Sequence, residues 1–155
     1  MTSPQPTPGR PQPADAAALF DAIAAEHATI YGYGFVSAHV VTELNELVSD
    51  SLNEHRNRRE AAIAMLSGRS MASPIPAVGY QPPFPVKNVN DAARLAVTME
   101  NDAAVAWRAV LEQAKSPEDR SFAVTALTQC AVRAAQWRHA VNMWPMTVAF
   151  PGAGQ

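Results

Sequence analysis

The chain has little cysteine, few aromatic rings and few charged groups. Cysteine occurs once in the 155 residues, at Cys130, while aromatic residues make up 7% and charged residues 17% of the sequence. A single cysteine excludes an internal disulfide, and no histidine and amide partners can be assigned that would make it a nucleophile. We therefore interpret Cys130 as a small buried residue with a reduced thiol, which predicts a cytoplasmic protein.

Long apolar runs and an excess of basic residues are also missing. No apolar stretch approaches the length of a membrane span, and a net charge of −2 gives no general attraction to nucleic acid or to an anionic membrane. The sequence thus predicts that neither nucleic acid nor a membrane is a partner.

Alanine, in contrast, is abundant, and hydrophobic residues make up 48% of the chain. This length and composition suit one domain with a sizeable core. Because large rings are scarce, the core must consist of small side chains on closely packed helices. The sequence therefore predicts an all-α fold.

Apolar residues recur every three or four positions in four segments, which predicts four helices. These cover about residues 15–40, 43–67, 91–114 and 117–142. Gly32 and Gly34 each cost about 1 kcal/mol inside a helix, so a break there is the alternative to one continuous first helix.

Particular residues mark the predicted helix ends. Gly68 is expected to close the second helix in a left-handed conformation, and Asn90 is expected to cap the third. Ser116 before Pro117 is the clearest start signal, since serine suits the N-cap and proline suits the first helical position.

The connections between the helices are short, long and short. Residues 68–90 are rich in proline and are long enough to return along a helix of about 37 Å. This pattern predicts a four-helix bundle in which one long crossover makes helices 2 and 3 parallel. An up-down-up-down bundle with the loop packed on one end is the alternative.

We expect three parts along the chain. Residues 1–13 are predicted to be a disordered proline-rich tail, 14–143 the bundle, and 144–155 an apolar C-terminal tail. The apolar tail must fold back on the bundle or meet a partner chain. Together with the small-residue helix faces, it predicts a homodimer.

Each helix offers a polar side chain on its predicted inward face. These are Glu26 on the first helix, His55 on the second and Glu100 on the third, with Gln136 and His139 sharing one face of the fourth. Two carboxylates and imidazole groups are therefore expected to meet in the interior.

At this point the chain resembles the ferritin-like superfamily, and within it an alanine-rich bacterial family of unassigned function. The likeness covers roughly residues 15–142, the size of a bundle domain. It is carried by Glu26-His27, Tyr31-Gly32-Tyr33, His39, the segment His55-Arg56-Asn57-Arg58-Arg59, the proline-rich crossover, and Glu100 with Trp107.

The resemblance implies what a di-iron centre would require: one glutamate on each of two helices and Glu-x-x-His on the other two. Glu26 and Glu100 match the lone glutamates. Leu52 and Gln136 stand where the two remaining carboxylates belong, and a neutral amide cannot balance the charge of two metal ions. A complete di-iron centre is therefore not expected.

Three interpretations of the inward polar residues stay open. The first is a buried ion-pair network of Glu26, Glu100 and His55 with Arg58 or Arg133. The second is a degenerate metal site for iron or manganese, and the third is simple exposure to solvent. The candidate metal ligands are Glu26, His55, Glu100 and His139.

The leading functional hypothesis is a binding or structural module with no cofactor. A metal-dependent oxidoreductase or metal-storage protein is the alternative, and no catalytic residue, protein partner or small-molecule ligand can be assigned. Tyr31, Tyr33 and Phe35 beside the paired glycines are interpreted as core packing rather than a pocket, and Trp107 and Trp137 as core residues.

Overall fold

The structure, a computed structural model, describes residues 6–154 and confirms an all-α four-helix bundle. Over that range no β-strand occurs. The helices are α1 (Ala14–Ser37), α2 (Asn45–Ser67), α3 (Val89–Gln113) and α4 (Pro117–Ala140), and one turn of 3-10 helix (Thr42–Leu44) precedes α2. Helix α1 runs unbroken through both of its glycines, as one of the two alternatives predicted.

Side-chain pairs show that α1 and α2 are antiparallel. Arg69, just beyond the end of α2, lies 3.3 Å from Asp15 at the start of α1. Arg58, in the middle of α2, contacts Glu26 in the middle of α1. The residue numbers rise along one helix as they fall along the other.

Helix α3 is also antiparallel to α1, because Trp107 contacts Glu26 while Glu100 contacts Tyr33. Helices α2 and α3 are therefore parallel, and residues 68–88 form the crossover that this requires. The predicted long crossover is confirmed, and the up-down-up-down alternative is excluded.

The apolar core is built mainly from alanine. Fully buried alanines occur on every helix, among them Ala22, Ala62, Ala96 and Ala123. Such small side chains let helix axes approach closely, so the core needs few large residues. Tight pairs form between α1 and α2, α1 and α3, and α3 and α4, whereas α2 and α4 are bridged mainly by polar side chains.

The helix ends agree with the sequence in one case and differ in two. Ser116 caps α4 by accepting a hydrogen bond from the Asp119 amide, with proline in the first turn, as predicted. The predicted cap at Asn90 is wrong, because the Asn88 side chain accepts the hydrogen bond from the Asp91 amide. The N-cap therefore lies two residues earlier than predicted, and α3 starts at Val89.

The predicted left-handed role of Gly68 is also wrong. Its φ is −61°, within the right-handed region, and the left-handed residue is Ser70, at φ 57°. The helical turn therefore continues past Gly68, with Ser70 donating to the Ser67 carbonyl at 2.9 Å.

The crossover is attached to the bundle at both ends of its path. Ring nitrogen Nε2 of His27, on α1, lies 3.1 Å from the carbonyl oxygen of buried Pro74. Further along, the Arg94 guanidinium of α3 stacks 4.8 Å above the Phe84 ring. The crossover therefore lies across the α1–α3 side of the bundle.

Both chain ends run beside the helices. Arg10 pairs with Asp21 of α1 at 2.7 Å. The C-terminal segment returns to α3, where Gly152 lies so close to the Ala104 carbonyl that a Cβ would come within 2.7 Å. The predicted division into 1–13, 14–143 and 144–155 stays a prediction, and its residues 1–5 and 155 lie outside the described residues.

Within residues 6–154, no helix combines the length and the apolar character needed to cross a bilayer.

Candidate functional site

Buried polar side chains from all four helices meet in the middle of the bundle, and we call this cluster the polar centre. Most of its atoms are closed off from solvent. Its members are Glu26 and Tyr33 of α1, His55 and Arg58 of α2, Glu100 and Trp107 of α3, and Trp137 of α4.

His55 lies between two carboxylates. Its Nδ1 is 2.6 Å from Glu26 Oε2, and its Nε2 is 3.0 Å from Glu100 Oε1, with all three side chains fully buried. Burial lowers the pKa of His55, but the hydrogen bonds and charges of Glu100 and Glu26 outweigh it and raise the pKa to about 9. At neutral pH His55 is therefore an imidazolium that donates from both nitrogens.

Protonation of His55 also settles its contact with Arg58. The guanidinium Nη1 lies 3.2 Å from Nδ1 of the ring. Because both atoms carry protons, this contact is not a hydrogen bond. Arg58 Nη1 instead donates to Glu26 Oε1 at 3.2 Å, while Nη2 donates to Gln129 at 3.0 Å.

Glu26 is ionised and fully hydrogen-bonded. Besides His55 and Arg58, the indole Nε1 of Trp107 donates to its Oε1 at 2.6 Å. Burial raises the pKa of Glu26, but His55, Arg58 and Trp107 more than offset that effect and hold the pKa below its ordinary value.

Glu100 is held by a short chain of donors. Tyr33 donates from its hydroxyl to Glu100 Oε1 at 2.5 Å, and Trp137 Nε1 donates to the Tyr33 oxygen at 2.9 Å. Burial, together with the adjacent Glu100 charge, raises the pKa of Tyr33 well above its ordinary value, so its hydroxyl keeps its proton. No described residue donates to the second oxygen, Glu100 Oε2.

The charges of the polar centre cancel. Glu26 and Glu100 contribute two negative charges, and protonated His55 and Arg58 contribute two positive ones. Buried charges persist when they are paired and hydrogen-bonded in this way. The interpretation as a buried ion-pair network thus agrees with the geometry.

A di-iron centre does not fit these residues. For His55 to bind a metal it would have to lose a proton and release one of its carboxylates. In the part of the chain that the structure describes, no group of three or more His, Cys, Asp or Glu side chains is arranged to hold a metal ion.

The structure unites three of the predicted ligands and separates the fourth. Glu26, His55 and Glu100 meet in the polar centre, but His139 is exposed on α4, as is Gln136. The prediction that these two face inward is wrong, because α4 turns Trp137 into the core. Each position along a helix rotates the side chain by about 100°, so Gln136 and His139, one and two positions from Trp137, point away from the core.

Of the two arginines predicted as partners, only Arg58 joins the polar centre. Arg133 lies nearer the surface between α2 and α4, where its Nε donates to Glu54 at 2.9 Å. Cys130 is buried as interpreted: its Sγ accepts from Arg58 Nη1 at 3.2 Å, and burial raises the pKa of the thiol well above its ordinary value.

Three aromatic residues have polar roles that were not predicted from the sequence. Tyr33, Trp107 and Trp137 are core residues as interpreted, each fully buried. Their hydroxyl and N–H groups, however, complete the polar centre. A usable signal existed, since a buried Trp or Tyr normally needs a partner for its polar atom, and Trp107 follows Glu100 by two helical turns.

Comparison with known proteins places the chain in a family. Residues 18–155 match the domain of unknown function DUF4439. The crystal structure of a conserved hypothetical protein, rv2844, from Mycobacterium tuberculosis is similar to this chain, with 57% sequence identity and a TM-score of 0.82 over 89% of this chain and 97% of that one. No curated protein matches the chain. The chain therefore belongs to the DUF4439 family.

Proposed function

We propose that this chain is a ferritin-like protein without a di-iron centre, acting as a binding or structural module. The observation that carries the proposal is the position of His55, whose two ring nitrogens each face a carboxylate at hydrogen-bonding distance. In a metal centre the imidazole would direct a nitrogen lone pair to the ion instead.

The chain topology supports the ferritin-like assignment. Two antiparallel helix hairpins joined by one long crossover, with the second and third helices parallel, are the arrangement of ferritin-like folds. The missing carboxylates support the absence of a di-iron centre, since Leu52 stands one turn before His55 and Gln136 is exposed.

Metal analysis tests the proposal. After expression in medium supplemented with iron and manganese, we expect less than about a tenth of an equivalent of transition metal per chain. The Glu26→Gln variant should contain no less than the natural protein. Glu60→Gln, an exposed change on α2, serves as the matched control.

The opposite result would favour the alternative function. A stoichiometric metal that disappears in Glu26→Gln and persists in Glu60→Gln would indicate a metal-dependent oxidoreductase or metal store. Its ligands would come from Glu26, His55 and Glu100, and Glu100 Oε2 is the oxygen to which none of the described residues donates.

Self-association is part of the proposal. Although the C-terminal segment lies beside α3, Trp144 is 74% exposed and Phe150 is 79% exposed. Two large apolar side chains on one short segment are typical of an interaction surface. A homodimer would cover them, and a cytoplasmic location is compatible with the free thiol of Cys130.

Light scattering coupled to size-exclusion chromatography tests the dimer. The natural protein should elute with twice the mass of one chain, and the double variant Trp144→Ser, Phe150→Ser should elute as a monomer. Val78→Ser, at a fully exposed position in the crossover, should leave the dimer intact. A monomeric natural protein at micromolar concentration would exclude this part of the proposal.

A further inference from the structure

A second site lies away from the polar centre, beneath the crossover. It is a cavity of about 190 Å³ bounded by α1, α3 and crossover residues 80–83. Pro82 and Pro83 form a stiff outer wall, and Met99 and Leu95 of α3 form the floor. A volume below the 300–1,000 Å³ typical of drug-sized pockets limits the ligand to a small molecule.

Three aromatic rings line one side of this cavity. Tyr31 is central, with its ring centroid 5.8 Å from that of Phe35 and 5.3 Å from that of Tyr80. The planes are tilted by 56° and 54°, so at these separations the rings pack against one another and form one aromatic side of the cavity. An aromatic ring attracts a cation that lies over its face.

The ring of Tyr80 is held in place by the crossover itself. Its hydroxyl accepts a hydrogen bond from the Ala77 amide at 3.0 Å. Gly79 lies close enough to the Tyr31 hydroxyl that a Cβ would come within 3.6 Å. The aromatic side is therefore built by contacts between the crossover and α1, and it does not depend on a ligand to form.

One carboxylate completes the lining. Asp102 stands on α3 one turn after Met99 and borders the cavity. Its side chain is exposed, and no Lys, Arg or His nitrogen of the described residues lies within 4.0 Å of its carboxylate. Partial burial raises the pKa of Asp102.

We propose that this cavity binds a small organic cation, with an alkylammonium group against the side formed by the Tyr31, Phe35 and Tyr80 rings and its charge facing Asp102. Each part of the lining supplies one element of that recognition. The rings attract the positive charge without hydrogen bonds, the carboxylate neutralises it, and the proline wall excludes larger ligands. The inference rests on the proposed binding role and supplies its ligand class.

Calorimetric and NMR titrations with choline test the proposal. Choline carries a trimethylammonium group, and 3,3-dimethylbutan-1-ol is its uncharged isostere. We expect saturable amide shifts confined to residues lining the cavity. The neutral isostere should bind at least about tenfold more weakly than choline. Asp102→Asn and Tyr31→Leu should each weaken choline binding about tenfold, whereas Asp50→Asn, an exposed acid on α2, should leave it unchanged.

Three results would overturn the inference. The first is the absence of saturable shifts with choline, and the second is equal affinity for choline and its neutral isostere. The third is an equal effect of Asp102→Asn and Asp50→Asn, which would indicate general electrostatic attraction. Amide spectra of the variants without ligand show whether each one is folded. Since metal content does not enter these titrations, the inference can fail while the proposed function stands, and the reverse also holds.

Discussion

At the scale of single residues, the defining feature is an imidazolium between two carboxylates in a closed interior. Taking charges out of water costs several kcal/mol per ion, which only a complete set of partners offsets. Glu26 has such a set, with His55, Arg58 and Trp107 each donating to it. Each member of the polar centre therefore depends on the others.

Glu26→Gln tests this dependence. The change keeps the size of the side chain but removes one negative charge, leaving His55 with Glu100 and Arg58 with the more distant Glu54, at 3.8 Å. We expect the free energy of unfolding in urea to fall by about 3 kcal/mol. The surface change Glu60→Gln should alter it by less than about 0.5 kcal/mol. A loss below about 1 kcal/mol in Glu26→Gln would show that the pairing contributes little.

Helical phase was enough to predict Glu26, His55 and Glu100, because each follows a clear apolar stripe on its helix. It failed for His139 because α4 is rich in alanine all round, and a helix of small residues has no well-defined inward face. The aromatic donors were missed because periodicity reports burial and does not report where an N–H or O–H group points.

At the scale of elements, the two glycines of α1 occupy different surroundings. A Cβ at Gly32 would lie 2.1 Å from the Met99 sulfur, whereas a Cβ at Gly34 would meet nothing within 4 Å. The first glycine makes room for the Met99 side chain of α3. The second has no packing role among the described residues and carries only the conformational cost of glycine in a helix.

The pair of substitutions Gly32→Ala and Gly34→Ala follows from this difference. Gly34→Ala should raise the free energy of unfolding by about 0.5–1 kcal/mol, because alanine has the higher helix propensity. Gly32→Ala gains the same propensity but displaces Met99, and we expect a net loss of about 1 kcal/mol or more. Melting curves followed by circular dichroism measure both. Equal gains in the two variants would contradict the close approach at Gly32.

Element types and order were predictable, while several ends were not. The proline at the first position of α4 fixes that start from sequence alone. The start of α3 contains two asparagines, Asn88 and Asn90, either of which suits an N-cap. Choosing between them needs the path of the crossover into the helix, and local sequence does not contain that path.

At the scale of the whole molecule, the raised pKa of His55 makes stability depend on pH. The imidazole binds a proton more tightly in the folded chain, with a pKa of about 9, than in the unfolded chain, near its ordinary 6.5. The stabilisation that His55 provides is therefore complete below its pKa in the unfolded chain and is lost as pH rises through its pKa in the folded chain. Over the interval between them the folded state holds about one more proton.

Unfolding measurements from about pH 7.5 to 8.5 isolate this effect. The free energy of unfolding should fall by about 1.2 kcal/mol over that unit, from His55 alone. The interval lies below the ordinary pKa of Tyr33 and just below that of Cys130, so the buried thiol adds only a small further decrease at the upper end. In His55→Gln the slope should be close to zero. The same slope in both proteins would assign it to other groups.

The overall topology could be predicted because it depends on loop lengths. A long crossover between two short connections leaves few ways to pair four helices. The cavity beneath the crossover could not be predicted, since Tyr80, Tyr31 and Asp102 lie on separate elements. The prediction that both tyrosines near the glycines are core residues is wrong for one of them: Tyr33 is fully buried, but Tyr31 is 43% exposed.

The protonation of His55 is the most direct test of a closed, charge-balanced centre without metal. Nitrogen-15 spectra of the imidazole rings report it, and the other three histidines serve as internal controls. The expected result is that both His55 nitrogens carry protons at neutral pH, that one proton leaves near pH 9, and that added zinc changes nothing. A neutral ring at pH 7 with one bare nitrogen, or a nitrogen that shifts on binding zinc, would contradict the account.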